Sequence, residues 1–154
     1  MAIEKVIEYF ETLGCAEKIK QFSVSSATVE LAAQALGCEG ARIAKTLSFL
    51  VDDGAVLIVT AGDMRIDNPK FKAFFHTKAK MLSPGQVDTL VGHSIGGVCP
   101  FCVNEGCRVY LDVSLKRFDI VYPAAGNAAS AIELTPEELE RYSQALGWID
   151  VCKS

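Results

Sequence analysis

No stretch of this chain is apolar for long enough to cross a bilayer, and none is repeated or low in complexity. The amino-terminal MAIEKVIEYFETLG carries Glu4, Lys5, Glu8 and Glu11 inside its apolar pattern, which excludes a signal peptide or membrane span there. A cytosolic protein is the expectation. Basic excess is lacking too. The formal net charge is −4, which argues against a protein that coats nucleic acid through its global field. Histidine occurs only twice, and no Ser-His-Asp or Cys-His arrangement assembles from the sequence. A second C-x-x-C or an H-x-H is also missing, and paired ligands are what structural zinc sites use.

What is present suits one folded domain over 1–154. Half of the residues are hydrophobic and 22% are charged, and the length allows one substantial core. Ile3, Val6, Ile7, Phe10 and Leu13 form a helical stripe that Gly14 ends, and a second helix is expected from Ser26 to Leu36, closed by Gly37. Thr46 to Val51, the turn Asp52-Asp53-Gly54 and Ala55 to Thr60 read as a hairpin of two buried strands. Asn68 before Pro69 predicts an N-cap for a helix to Phe75. Ser83-Pro84-Gly85-Gln86 and Thr135-Pro136-Glu137-Glu138 fit capping boxes, opening helices to about Val91 and Leu146. Arg108 to Val113, Asp119 to Tyr122 and Ser130 to Leu134 read as short strands. The fold class is mixed α/β, with strands in the centre.

Six cysteines in a reducing compartment point to buried thiols, ligands or nucleophiles rather than disulfides. Cys99-Pro100-Phe101-Cys102, with His93 upstream and Cys107 downstream, raises a zinc or dithiol reading. The strand that follows is the wrong setting for a thioredoxin-like thiolate, which sits at a helix N-terminus. The adjacent Gly96 and Gly97 raise another possibility: bare backbone there admits a ligand, and its N–H groups suit an anion or oxyanion. A plain turn is the structural alternative. Lys45 closes the short helical segment Ala41 to Ala44 and leads into an apolar strand. It reads either as a cation carried into a pocket or as a solvated helix-end lysine.

Three ordered segments carry a resemblance over most of the chain: ARIAKTLSFLVDDGAVLIVTAGDMRID, GGVCPF, and VYLDVSLKRFDIVYPAAGNAASAIELTPEEL. The chain resembles the YbaK/EbsC family, free-standing relatives of the editing domain inserted in bacterial prolyl-tRNA synthetase. The resemblance implies a mixed sheet partly closed like a barrel with helices around it, and hydrolysis of the ester between a wrong amino acid and the terminal ribose of tRNA. Lys45 matches the family's functional lysine, Gly96 and Gly97 its glycine loop, and Ala124-Ala125-Gly126-Asn127 the loop across the pocket. Cys99, Ala124, Gly126 and Asn127 are thereby the candidate substrate contacts. In this reading the glycines carry the site and the thiols are passengers; many relatives have serine at Cys99 and glycine at Cys102, which leaves pocket size and specificity open and Cys99 free to touch the ligand. The reading calls for no cofactor and no metal. The implied partners are the 3′ end of an aminoacyl-tRNA and prolyl-tRNA synthetase. Arg65, Lys70, Lys72, Lys78 and Lys80 offer a basic stretch for the acceptor stem, or an ordinary solvated face. A non-catalytic module of the same fold, binding tRNA or a synthetase, is the competing function.

Overall fold

The computed structural model describes residues 2–94 and 96–154; Ile95, within the glycine loop, lies outside them. Helix α1 (Ala2–Thr12) and strand β1 (Ile19–Gln21) lead to α2 (Val29–Leu36). The long hairpin of β2 (Ile43–Val51) and β3 (Gly54–Ala61) follows, then β4 (Arg65–Ile66) and α3 (Asn68–Phe75). The short α4 (Pro84–Gln86) continues into a wide π-turn over Val87–Val91. After the glycine loop come β5 (Arg108–Asp112), β6 (Tyr122–Pro123), β7 (Ser130–Ile132), α5 (Pro136–Ser143), β8 (Trp148–Ile149) and β9 (Cys152–Lys153).

The central sheet has the order β6-β2-β3-β5-β8, antiparallel between β2 and β3 and parallel elsewhere. β1 pairs with β7 and β4 with β9. An isolated bridge, Val121↔Leu134, continues the β6 edge toward the β1–β7 ribbon. This is the mixed α/β architecture expected from the pattern. Among the described residues no helix is long and apolar enough to cross a membrane.

Residues 55–61 of β3 are all buried, which is why they read as an unbroken apolar run and not as an alternation. One face of the hairpin packs Phe49, Val56 and Ile58 against Phe71 of α3 and against Ile149 and Val151. The opposite face packs Val59 and Ala61 against α1, α5 and Phe101. Phe10 is fully buried edge-to-face on Phe101, with centroids 5.0 Å apart. Burial of one such side chain contributes about 1.5–3 kcal/mol. Between Asp52 and Asp53, both at positive φ (52° and 63°), the chain makes a two-residue turn that matches the twist of the strands.

Several boundaries differ from the sequence pattern; the strand expected over Asp119 to Tyr122 forms only at Tyr122–Pro123, and the last helix ends at Ser143. The expected helix at Ala41–Ala44 is a single 3-10 turn, Gly40–Arg42, and β2 begins at Ile43, because Ala44↔Ala61 and Lys45↔Thr60 extend the hairpin ladder. Lys45 therefore lies within the strand. The second helix starts at Val29, since the Thr28 hydroxyl accepts from the Leu31 N–H and fixes the cap there. The cap of α3 is Asp67, whose carboxylate accepts from the Lys70 N–H and suits the positive end of the helix, so Asn68 is the first helical residue.

Candidate active site

A cavity of about 300 Å³ lies between the edge of β2, the start of α2, the segment around Leu82 and Val87, the glycine loop and the loop before β7. Five alanines, Ala27, Ala32, Ala44, Ala124 and Ala131, line it beside the larger Ile43, Leu47, Met81 and Tyr122. Val98, Leu82 and Val87 close it on the apolar side, and Thr46, Ser48 and Ser130 bring hydroxyls. Such a lining suits a small group with a few hydrogen-bonding atoms.

Of the candidate residues, Lys45, Gly96 and Ala124 line this cavity. Lys45 and Thr60 are cross-strand neighbours, so the Lys45 side chain leaves β2 on the face it shares with Phe49, opposite to Ala44, Thr46 and Ser48. Its ammonium donates to the Met64 carbonyl just beyond β3. Gly96 is exposed at the rim with φ +92°, a conformation that favours glycine. Gly97 is buried, and its N–H donates to the Ser94 carbonyl at 3.0 Å. That donor is spent inside the loop.

Gly126 (φ +108°) and Asn127 shape the facing loop rather than the cavity wall. The Asn127 side chain accepts from the Ala129 N–H at 2.9 Å, and the Ser130 hydroxyl accepts from the Ala125 N–H and donates to the Asn127 carbonyl. Ser26 N–H donates to Ala128 O at 2.6 Å, which ties this loop to the approach of α2. Ser130 and the Ala27–Val29 segment were not distinguishable in the sequence. Their roles depend on contacts across the chain.

The structure does not bring Cys99 to the cavity. Its side chain is fully buried beside Phe101, and burial pushes its thiol up to about 12. His93 is 1% exposed, and its Nε2 lies 2.7 Å from the Phe101 carbonyl, which can only accept, so Nε2 carries the proton. Nδ1 then has no partner among the described residues. Burial lowers the His93 pKa, with the Phe101 carbonyl pulling the other way and Lys5 adding to the depression. Cys102 donates to the Lys5 carbonyl. Among the described residues no group of three or more His, Cys, Asp or Glu is placed to hold a metal ion.

Residues 24–142 match the family described as the aminoacyl-tRNA editing domain. The chain belongs to that family. It is 51% identical over 154 residues to YwhH of Bacillus subtilis (strain 168), covering 99% of this chain and 98% of that one. It is 30% identical over 114 residues to EbsC of Enterococcus faecalis (strain V583), covering 73% and 70%; the name of that protein provisionally assigns Cys-tRNA(Pro)/Cys-tRNA(Cys) deacylase activity. Proline–tRNA ligase of Leuconostoc citreum is 32% identical over 100 residues, a region that is 64% of this chain and 17% of the synthetase. A crystal structure provisionally titled a trans-editing enzyme for prolyl tRNA synthetase superposes with a TM-score of 0.88 at 30% identity, covering 99% of this chain and 98% of that one. The strand β2, the glycine loop and the loop before β7 that border the cavity all lie within the matched residues 24–142.

Proposed function

We propose that this editing domain acts in trans on mischarged aminoacyl-tRNA of the tRNA(Pro) type, hydrolysing the ester that joins a small wrong amino acid to the terminal ribose. The observation that carries this reading is the cavity of about 300 Å³, lined in part by alanines, at the junction of the Lys45 strand, the glycine loop and the Ala124 loop. It is large enough for an aminoacyl end and too small for a bulky side chain with its adenosine, the size discrimination of an editing sieve.

The chemistry demanded is modest. The ester is activated already, so the site needs to fix the carbonyl, admit one water and stabilise the tetrahedral oxyanion. Among the described residues that line the cavity there is no histidine or carboxylate to serve as a base. In this reading the ribose hydroxyl next to the ester activates the water. Lys45 supplies the fixed cation beside the reacting carbonyl or the terminal phosphate. Prolyl-tRNA synthetase is the expected docking partner, which would deliver the tRNA to a domain with a small contact area.

The test is a panel of tRNAs charged with alanine, serine, cysteine, threonine and proline, followed to free amino acid. At least one mischarged species should be hydrolysed well above background while Pro-tRNA(Pro) is spared. Tight tRNA or synthetase binding with no deacylation of any species would select the non-catalytic module instead.

A further inference from the structure

Six consecutive strand residues, Ile43 to Ser48, line the cavity. Side chains of a strand alternate between faces, so an unbroken run can border one cavity only where the main-chain edge of the strand itself faces it. The pairings define that edge. On its outer side β2 is held by β6 only as far as Ala44↔Pro123. It is held again by residues 80–82, where Leu82 N–H donates to Ser48 O and Leu50 N–H donates to Lys80 O. Between these two contacts the edge is open.

The same bonds say which groups point outward. Ser48 and Leu50 direct their main-chain groups away from β3, and the two-residue period of a strand gives Thr46 the same direction. Neither β6 nor residues 80–82 pairs with Thr46. Among the described residues its N–H and C=O therefore form an unoccupied strand edge, inside a cavity, with the Thr46 hydroxyl also buried and unpartnered there. An α-aminoacyl ester carries an ammonium and a carbonyl in the order in which a strand residue carries N–H and C=O. It is the natural complement to that edge.

We propose that the main-chain N–H of Thr46 is the oxyanion donor of this editing domain, and that the Thr46 carbonyl accepts from the substrate's α-ammonium. The inference rests on the deacylase reading above and deepens it. Water attacks the ester carbonyl carbon, and the carbonyl electron pair moves onto its oxygen, against the Thr46 N–H. On collapse the carbon–oxygen bond to the ribose breaks. The ribose oxygen takes a proton that came from the water, leaving free amino acid and intact tRNA. The glycine loop is then a wall rather than the donor, in keeping with the Gly97 N–H already bound to Ser94.

Replacing the Thr46 amide by an ester, through incorporation of the α-hydroxy analogue of threonine, removes this N–H and otherwise only weakens the Lys45 carbonyl as an acceptor. The β2–β3 ladder loses no donor, because this N–H points away from it. Thr46→Pro deletes this N–H genetically, together with the side-chain hydroxyl, at a strand position whose N–H the sheet does not use. Turnover should fall about a hundredfold or more with KM little changed, since the bond matures only in the transition state. Hydrogen exchange gives a reading that survives any folding defect of the variants. In the wild-type protein the Thr46 amide should exchange fast when free. It should be protected by an aminoacyl-amide analogue of the 3′-terminal adenosine. Wild-type turnover in the ester variant, or a bound analogue that leaves the Thr46 amide unprotected, overturns this inference and leaves the deacylase reading standing. A wild-type protein inactive on every mischarged tRNA overturns both.

Discussion

Gly97 lies so close to Asn127 that a Cβ added to it would stand 2.5 Å from the Asn127 Cα and 2.8 Å from its carbonyl carbon. Main chain cannot step aside as a flexible side chain does. The two loops that close the cavity are therefore clamped together by the absence of one methyl group. Gly97→Ala should spread them, lowering the melting temperature by several degrees, at 2–4 °C per kcal/mol for a chain of about this size. It should also slow single-turnover deacylation by more than about tenfold at temperatures where the variant is folded, because Ala124 and Gly96 lose their fixed separation. Melting and turnover must be measured on the same sample. Normal turnover in the folded variant would reduce this glycine to a packing role.

Lys45 borders the cavity, and its ammonium is anchored on the Met64 carbonyl. Lys45→Ala should cut deacylation by about a hundredfold, the scale on which a preorganised electrostatic group acts. Lys45→Arg should rescue it poorly, since a planar fork does not replace a compact ammonium on that anchor. Retention of wild-type turnover in Lys45→Ala on the best substrate would remove this lysine from the mechanism.

Local signals were the legible ones. Both capping boxes form as written, with reciprocal bonds at Ser83/Gln86 and Thr135/Glu138, because every participant lies within four residues. The β2–β3 hairpin was legible for the same reason, in its Asp-Asp-Gly turn. The cap of α3 missed by one residue, since Asp67 and Asn68 are equally competent caps and only the tertiary frame chooses. Strands β4, β8 and β9 have two residues each and no pattern of their own; partners distant in the chain create them. Thr46 illustrates the limit at the site. Its neighbour Lys45 stands out by its charge, but the open edge at Thr46 depends on where β6 stops, some eighty residues later. Cys99 erred the other way. A residue beside the glycine loop in sequence turns into the core instead of the cavity.

His93 should make stability fall on mild acidification. Its folded pKa is depressed, first by burial, and protonation would place a charged donor on Nδ1, which has no acceptor among the described residues, near the Lys5 ammonium. The unfolded chain binds that proton from about pH 6.5 downward and the folded chain only at lower pH. The stabilisation is thus complete above about pH 6.5 and declines progressively below it, until the folded histidine also protonates. Denaturant midpoints between pH 7.5 and 5 should trace this decline. His93→Gln keeps a donor for Phe101 without a titrating group, and should flatten the slope above pH 5. An equal slope in that variant would assign the effect to other groups.

The basic stretch divides into two parts with different consequences. Lys70 is committed, with its ammonium bonded to Asp150 and to the Cys152 carbonyl. Lys78 and Lys80 are exposed, and the chain they belong to runs straight into the cavity: the Lys80 carbonyl holds Leu50, and Met81 borders the cavity itself. Phosphates of an acceptor stem whose 3′ end enters the cavity would pass beside them. The paired substitution Lys78→Ala and Lys80→Ala should therefore raise KM for aminoacyl-tRNA with kcat nearly unchanged, because phosphate contacts are the same in ground and transition states. The dependence of KM on salt should also weaken, by roughly one unit of slope per lost phosphate contact. Hydrolysis of an aminoacyl-adenosine, which has no stem, should not change. A variant with wild-type KM and salt slope on full-length tRNA would show that this face is merely solvated, and that the stem runs elsewhere.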